Sequence, residues 1–160
     1  MAYVGKANYL ELNQNGTQSI SSSTLTLVQF PNNVINTFGN NLTISGSGNT
    51  TFTNNSGRNM YLNAAACACV DDSSAANTAA WLMIKVTRAV ATASTIAQCT
   101  QDGQFNNVLS YSVSAPVFLA PGDSFQIQIA CNGIQTLGNS QSIYGQVYRT
   151  SLIVSQIPGG

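Results

Sequence analysis

The chain has 160 residues, with five acidic, five basic and no histidine side chains. Its charged fraction, 6%, lies far below the about 25% of ordinary domains, so solubility rests on Asn, Gln, Ser and Thr. The five bases, Lys6, Arg58, Lys85, Arg88 and Arg149, do not cluster, which removes the electrostatic case for nucleic acid or an anionic membrane. The lack of histidine excludes Ser-His-Asp and Cys-His catalysis and imidazole metal sites.

This length fits one domain, able to bury roughly 70% of the surface of its unfolded chain without disulfide or metal. Hydrophobic residues make up 44% and fall in alternating runs, which predicts a packed β core rather than disorder. No apolar run approaches the ~20 residues of a membrane-spanning helix, so no membrane insertion is expected. The opening Met1-Ala2-Tyr3-Val4-Gly5-Lys6 has no apolar core followed by a cleavage site, and no signal peptide is expected there.

Residues 1–22 carry little periodicity. They read as an extended N-terminal arm with a short strand at 8–12, a segment suited to docking on a neighbour. Leu25 to Phe30 is β-rich and stops at Pro31, and Asn32-Asn33 and Gly39-Asn40-Asn41 read as loops. Leu42-Thr43-Ile44, the Gly46-Ser47-Gly48-Asn49 turn and Thr50 to Thr53 form a hairpin pattern.

Arg58 to Val70 predicts a long strand. Met60, Leu62, Ala64, Ala66, Ala68 and Val70 share one face, and Tyr61, Asn63, Ala65, Cys67 and Cys69 share the other. Residues 71–79 read as a loop. Trp81 to Arg88 is a strand with Leu82, Ile84 and Val86 inward, and 89–95 reads as a surface loop. Ile96, Cys99 and Phe105 surround a turn at Asp102-Gly103.

The strongest local signal runs from Ser112 to Cys131. Val113, Ala115, Val117 and Leu119 alternate with more polar neighbours, Pro121-Gly122-Asp123 breaks the run, and Phe125, Ile127, Ile129 and Cys131 resume it. By itself this is a good hairpin. Ile143 to Val154 reads as a single closing strand. The sum is about 8–10 short antiparallel strands and no convincing helix, the pattern of a two-sheet sandwich.

Little chemistry is available. The acids are Glu11, Asp71, Asp72, Asp102 and Asp123; adjacent Asp71 and Asp72 diverge on an extended chain and do not make a pair flanking one bond. Cys67-Ala68-Cys69 is a C-x-C on a strand, unlike the C-x-x-C of structural zinc. Together with Cys99 and Cys131, these are expected to be reduced, buried cysteines acting as small apolar side chains. Asn15, Asn41, Asn49 and Asn54 stand in Asn-x-Ser/Thr triplets, which chance supplies in an Asn- and Thr-rich chain. No catalytic, cofactor or metal set is expected, and the chain is not expected to be an enzyme.

The run Ser114-Ala115-Pro116-Val117-Phe118-Leu119-Ala120-Pro121-Gly122-Asp123-Ser124-Phe125, with Tyr61 on a central strand and the closing Tyr144-Gly145-Gln146-Val147-Tyr148-Arg149-Thr150-Ser151-Leu152-Ile153-Val154, resembles the tumour necrosis factor/complement C1q superfamily of jelly rolls over roughly residues 23–158. The resemblance implies a jelly-roll domain over 23–160 that trimerises about a threefold axis, with Tyr61, Phe125, Tyr144 and Tyr148 as candidate interface residues. It recasts Gly122-Asp123 as turn chemistry joining two jelly-roll strands.

On this reading the chain is a viral or phage virion structural protein, assembled in the host cytoplasm. Its role would be that of a minor capsid, vertex, fibre-head or decoration component whose partners are itself and other capsid proteins. The alternative is an extracellular C1q-like ligand, or a receptor- or glycan-binding module.

Overall fold

A computed structural model describes residues 7–14, 16–71, 78–103, 108–133, 135–138, 141–143, 146–148 and 150–157. Fifteen strands are present among them: β1 Tyr9–Asn13, β2 Gln18–Ile20, β3 Thr26–Leu27, β4 Asn32–Asn36, β5 Leu42–Ser45, β6 Thr51–Asn54, β7 Met60–Asp71, β8 Thr78–Thr87, β9 Ser94–Gly103, β10 Val108–Leu119, β11 Ser124–Cys131, β12 Gln135–Leu137, β13 Gln141–Ile143, β14 Gln146–Tyr148 and β15 Ser151–Gln156. The helical content among the described residues is one 3₁₀ turn, Gly39–Asn41.

The strands form two sheets. One carries β4-β1-β15-β7 in order, with β10 also on β7 and the short β12 and β2 continuing from the far end of β7. The other runs β5-β6-β11-β8-β9, with β3 also on β11. All of these pairs are antiparallel. The inward rows follow the alternation read from the sequence. Met60, Leu62, Ala64, Ala66, Ala68 and Val70 of β7 are buried, as are Leu82, Ile84 and Val86 of β8 and Phe125, Ile127, Ile129 and Cys131 of β11. Phe52 and Phe125 stack across the β6–β11 pair with ring centroids 4.8 Å apart. The alanines of β7 keep its inward face short, so bulkier side chains fit within the ~10 Å that separates stacked sheets.

Several expectations change. Residues 9–13 and 18–20 are no arm: β1 lies between β15 and β4 inside a sheet, and Leu10, Leu12 and Ile20 are fully buried. The boundary at 22/23 therefore cuts through one core. Residues 1–6 lie outside the described residues. Asn32–Asn36 is a strand, β4, not a loop, and all five of its residues are exposed. An edge strand with no core side to fill leaves no alternation to read. Residues 94–103 form β9, paired along most of β8, where a turn at Asp102-Gly103 was expected. The closing segment is not one strand: among the described residues β13 and β14 pair only with each other, and β15 starts afresh at Ser151.

The largest change concerns the Pro-Gly turn. β10 pairs with β7 in one sheet, and β11 pairs with β8, β6 and β3 in the other. The turn between them is a corner from sheet to sheet, not a hairpin. Asp123 N–H donates to the Ala120 carbonyl at 3.0 Å, and Gly122 has φ +83°, which is a type II turn with Pro121 and Gly122 at its centre. Type II geometry splays the flanking strands instead of matching their twist, and here the two strands part into different layers.

Candidate interaction surface and the corner that supports it

Directly opposed residues of an antiparallel pair share a face, so the register defines the outer surface of the β7 sheet. Along β7 and β10 it runs Tyr61 opposite Phe118, Asn63 opposite Pro116, Ala65 opposite Ser114 and Cys67 opposite Ser112. On the other side of β7, Ile153 lies opposite Ala65 and Ser151 opposite Cys67, and Glu11 of β1 follows beside Ile153. Tyr61 is 40% exposed, Phe118 39% and Ile153 40%. The Tyr61 and Phe118 rings touch, with centroids 5.0 Å apart and planes tilted by 53°.

In the band from Tyr61 to Cys67 and its cross-strand partners the one charged residue is Glu11, and it accepts a hydrogen bond from the Tyr9 hydroxyl at 3.2 Å. Burial, the Glu11 charge and that hydrogen bond all raise the Tyr9 pKa, so the phenol stays a donor. The band joins aromatic and aliphatic anchors to a floor of Ala, Ser and Cys, short side chains that let a second surface come close.

The outer surface of the other sheet has a different chemistry. Gln126 lies opposite Lys85 and Gln128 opposite Met83, and the Gln126 amide donates to Thr51 Oγ1 at 2.9 Å. The same face also carries Trp81 opposite Ala130 and Leu27 opposite Gln128, so it mixes polar and apolar side chains.

The candidate residues separate accordingly. Tyr61 lies on the apolar outer face. Phe125 does not: it is fully buried against Phe52, inside the sandwich, and the alternation that marked it as apolar is equally a core signal. Tyr144 lies outside the described residues. The backbone of Tyr148 ends β14, in the separate two-stranded ribbon, and its side chain is outside the described set. All four cysteines carry thiols. Cys69 and Cys131 are buried, whereas Cys67 and Cys99 are only half-buried, a correction to the expectation that all four sit inside. Cys67 is on the outer face, 3.1 Å from Ser110 Oγ. Among the described residues, no group of three or more His, Cys, Asp or Glu side chains is placed to hold a metal.

Phe118 and Ile153 were missed as surface residues. Both sit in runs where polar and apolar neighbours alternate loosely, and only the register shows which side of the sheet they occupy.

Asp123 holds the corner beneath Phe118. Its Oδ1 accepts from Ala89 N–H at 2.8 Å, and its Oδ2 accepts from Ala120 N–H at 3.0 Å and from Arg88 at 2.8 Å. Arg88 also donates to the Phe118 carbonyl at 2.6 Å, and its guanidinium carbon lies 5.7 Å from the centre of the Phe118 ring. Burial on its own would raise the Asp123 carboxyl, but the Arg88 hydrogen bond, the two backbone N–H donors and the Arg88 charge outweigh it and hold the pKa below its ordinary value of 3.8. Asn54, also buried, extends the brace. Its amide donates to Arg58 and Leu119 carbonyls at 2.7 and 2.9 Å, and its Oδ1 accepts from the backbone and hydroxyl of Ser56. The one described ion pair and a buried amide therefore position the β10 edge of the apolar face.

No protein-family model matches the sequence, and no curated protein is significantly similar to it. Solved structures do match. A crystal structure of murine APRIL at pH 5.0 superposes with a TM-score of 0.67 at 16% identity, over 95% of this chain and all of that one. Eiger TNF from S. frugiperda gives 0.61 at 15% identity, over 96% and 93%. The globular domain of zebrafish complement 1qA gives 0.56 at 14% identity, over 94% and 95%. The chain has the TNF/C1q-like jelly-roll fold, with β4-β1-β15-β7-β10 facing β5-β6-β11-β8-β9.

Proposed function

We propose that the protein is a non-catalytic, self-assembling structural module, a homotrimer formed through the outer face of the β7 sheet and serving as a component of a virion assembled in the host cytoplasm. One observation carries the trimer: the exposed band of Tyr61, Phe118 and Ile153 over Ala65, Cys67 and Ser114, in which Glu11 is the one charged residue. Aromatic anchors over small residues, with charge depleted at the centre, are the composition of an interface core. The scarcity of charge throughout the chain supports a place in a densely packed assembly with other capsid proteins. The absence of histidine supports the non-catalytic reading.

Sedimentation at micromolar concentration tests the assembly, with three chain masses expected; a single-chain mass excludes it. Ser114→Lys, at an exposed position opposite Ala65, places an ammonium on the band without entering the core. It is expected to weaken association by more than about 2 kcal/mol, over tenfold, while the isolated protomer keeps its far-ultraviolet spectrum. Cofractionation with particles checks the virion assignment. Recovery of the protein only in free form, outside producing cells, favours the extracellular ligand instead.

A further inference from the structure

A polar cleft of about 420 Å³ opens at one end of the sandwich, within the range of about 300–1,000 Å³ typical of small-molecule sites. Asn8, Asn41, Ser56, Arg58, Asn59, Met60 and Gln156 line it. Its position follows from the strand periodicity. Asn8 stands two residues before buried Leu10, Gln156 two after buried Val154, and Met60 two before buried Leu62. Met60 ends the buried inward row of β7, and the carboxamides Asn8 and Gln156 continue those of β1 and β15 past the core. The Asn8 amide donates to Gln156 Oε1 at 2.7 Å, which ties the two strand ends together and leaves an acceptor on Asn8 and a donor on Gln156 for a third party.

The opposite wall is equally braced. Asn54 and Ser56 both bind the Arg58 carbonyl, at 2.7 and 3.1 Å, and Asn55 N–H donates to the Asn41 carbonyl at 2.8 Å. The Arg58 backbone is therefore held while its side chain is exposed. Arg58 is the only charged residue of the lining, and among the described residues the sole ion pair is Arg88 with Asp123.

From this lining we infer that the cleft binds a carboxylated, hydroxyl-rich small molecule, an acidic monosaccharide. A guanidinium takes a carboxylate through two parallel hydrogen bonds. Carboxamides and a serine hydroxyl both donate and accept, which matches ring hydroxyls. Buried Met60 closes the floor of the cleft. The site is independent of the trimer, since it lies at the mouth of the sandwich and not on the outer face.

The test is a titration of the intact protein, followed by two-dimensional amide NMR, with four probes: N-acetylneuraminic acid, glucuronate, methyl galactoside and acetate. Saturable shifts confined to residues 8, 41, 56, 58, 59 and 156 are expected with one or both acidic sugars, and the difference between those two identifies the source. Arg58→Gln is expected to reduce affinity at least about tenfold, with an unchanged melting temperature because the side chain is exposed, and Arg58→Lys to fall between. The inference is overturned by the absence of residue-specific shifts with either acid, by equal shifts with methyl galactoside or acetate, or by undiminished binding in Arg58→Gln.

Discussion

Phe125→Ala is expected to lower the unfolding free energy by about 3–5 kcal/mol. That is a large part of the roughly 5–15 kcal/mol that holds a domain of this size folded. The ring is fully buried and stacked on Phe52. Its removal loses apolar burial and leaves a void between two sheets whose strands are tied into ladders on both sides, so little collapse can fill it. Tyr61→Ala, on the outer face, is expected to cost under about 1 kcal/mol when both are measured by urea denaturation in the monomeric Ser114→Lys background. The contrast separates core from surface for two residues that share one sequence signature. A cost for Tyr61→Ala as large as that for Phe125→Ala would place Tyr61 inside.

The second large effect is at the corner. Asp123→Asn is expected to destabilise the protein by about 3 kcal/mol. Most of this comes from the Ala89 and Ala120 N–H groups, because an amide has one acceptor oxygen where the carboxylate has two, and its NH₂ faces a donor. Arg88 contributes less, since its side chain is 30% exposed and regains water. The same carboxylate gives a pH dependence. Its folded pKa lies below the unfolded value of 3.8, so below that pH the unfolded chain binds the proton more readily. The contribution is fully present well above pH 3.8 and is lost as pH falls through the folded pKa. Urea midpoints measured between about pH 6 and pH 2.5 should fall more steeply at the acid end in the parent than in Asp123→Asn. Parallel curves would mean that Asp123 titrates alike in both states.

The corner combines a local signal with a non-local pairing. Pro121-Gly122 predicted a turn, and a turn is there, because proline's fixed φ and glycine's tolerance of positive φ act within four residues. Whether the strands on either side pair with each other is not local. β10 finds β7, about 50 residues earlier in the sequence, and β11 finds β8. In the sequence Asp123 is one of five scattered acids and follows a Pro-Gly turn. Its role as an acceptor for three donors depends on Arg88 and Ala89, which the chain brings back only after sheet pairing. β4 and β9 were missed for related reasons: one has both faces in solvent, and the other carries polar residues on much of its length.

By itself the sequence determined the class of the fold, the inward rows of β7, β8, β10 and β11, the β5–β6 hairpin and the lack of a histidine-based catalytic set. These follow from side-chain period, turn chemistry and composition, all of which act over a few residues. Only the tertiary structure decided that residues 9–13 lie inside a sheet, that Phe125 is core while Phe118 and Ile153 are surface, and that Arg58 meets four carboxamides at the mouth of the sandwich. The reason is that a strand has two faces with identical periodicity. Which of them meets the opposite sheet, and which meets water or another subunit, is set by long-range register that no local pattern encodes.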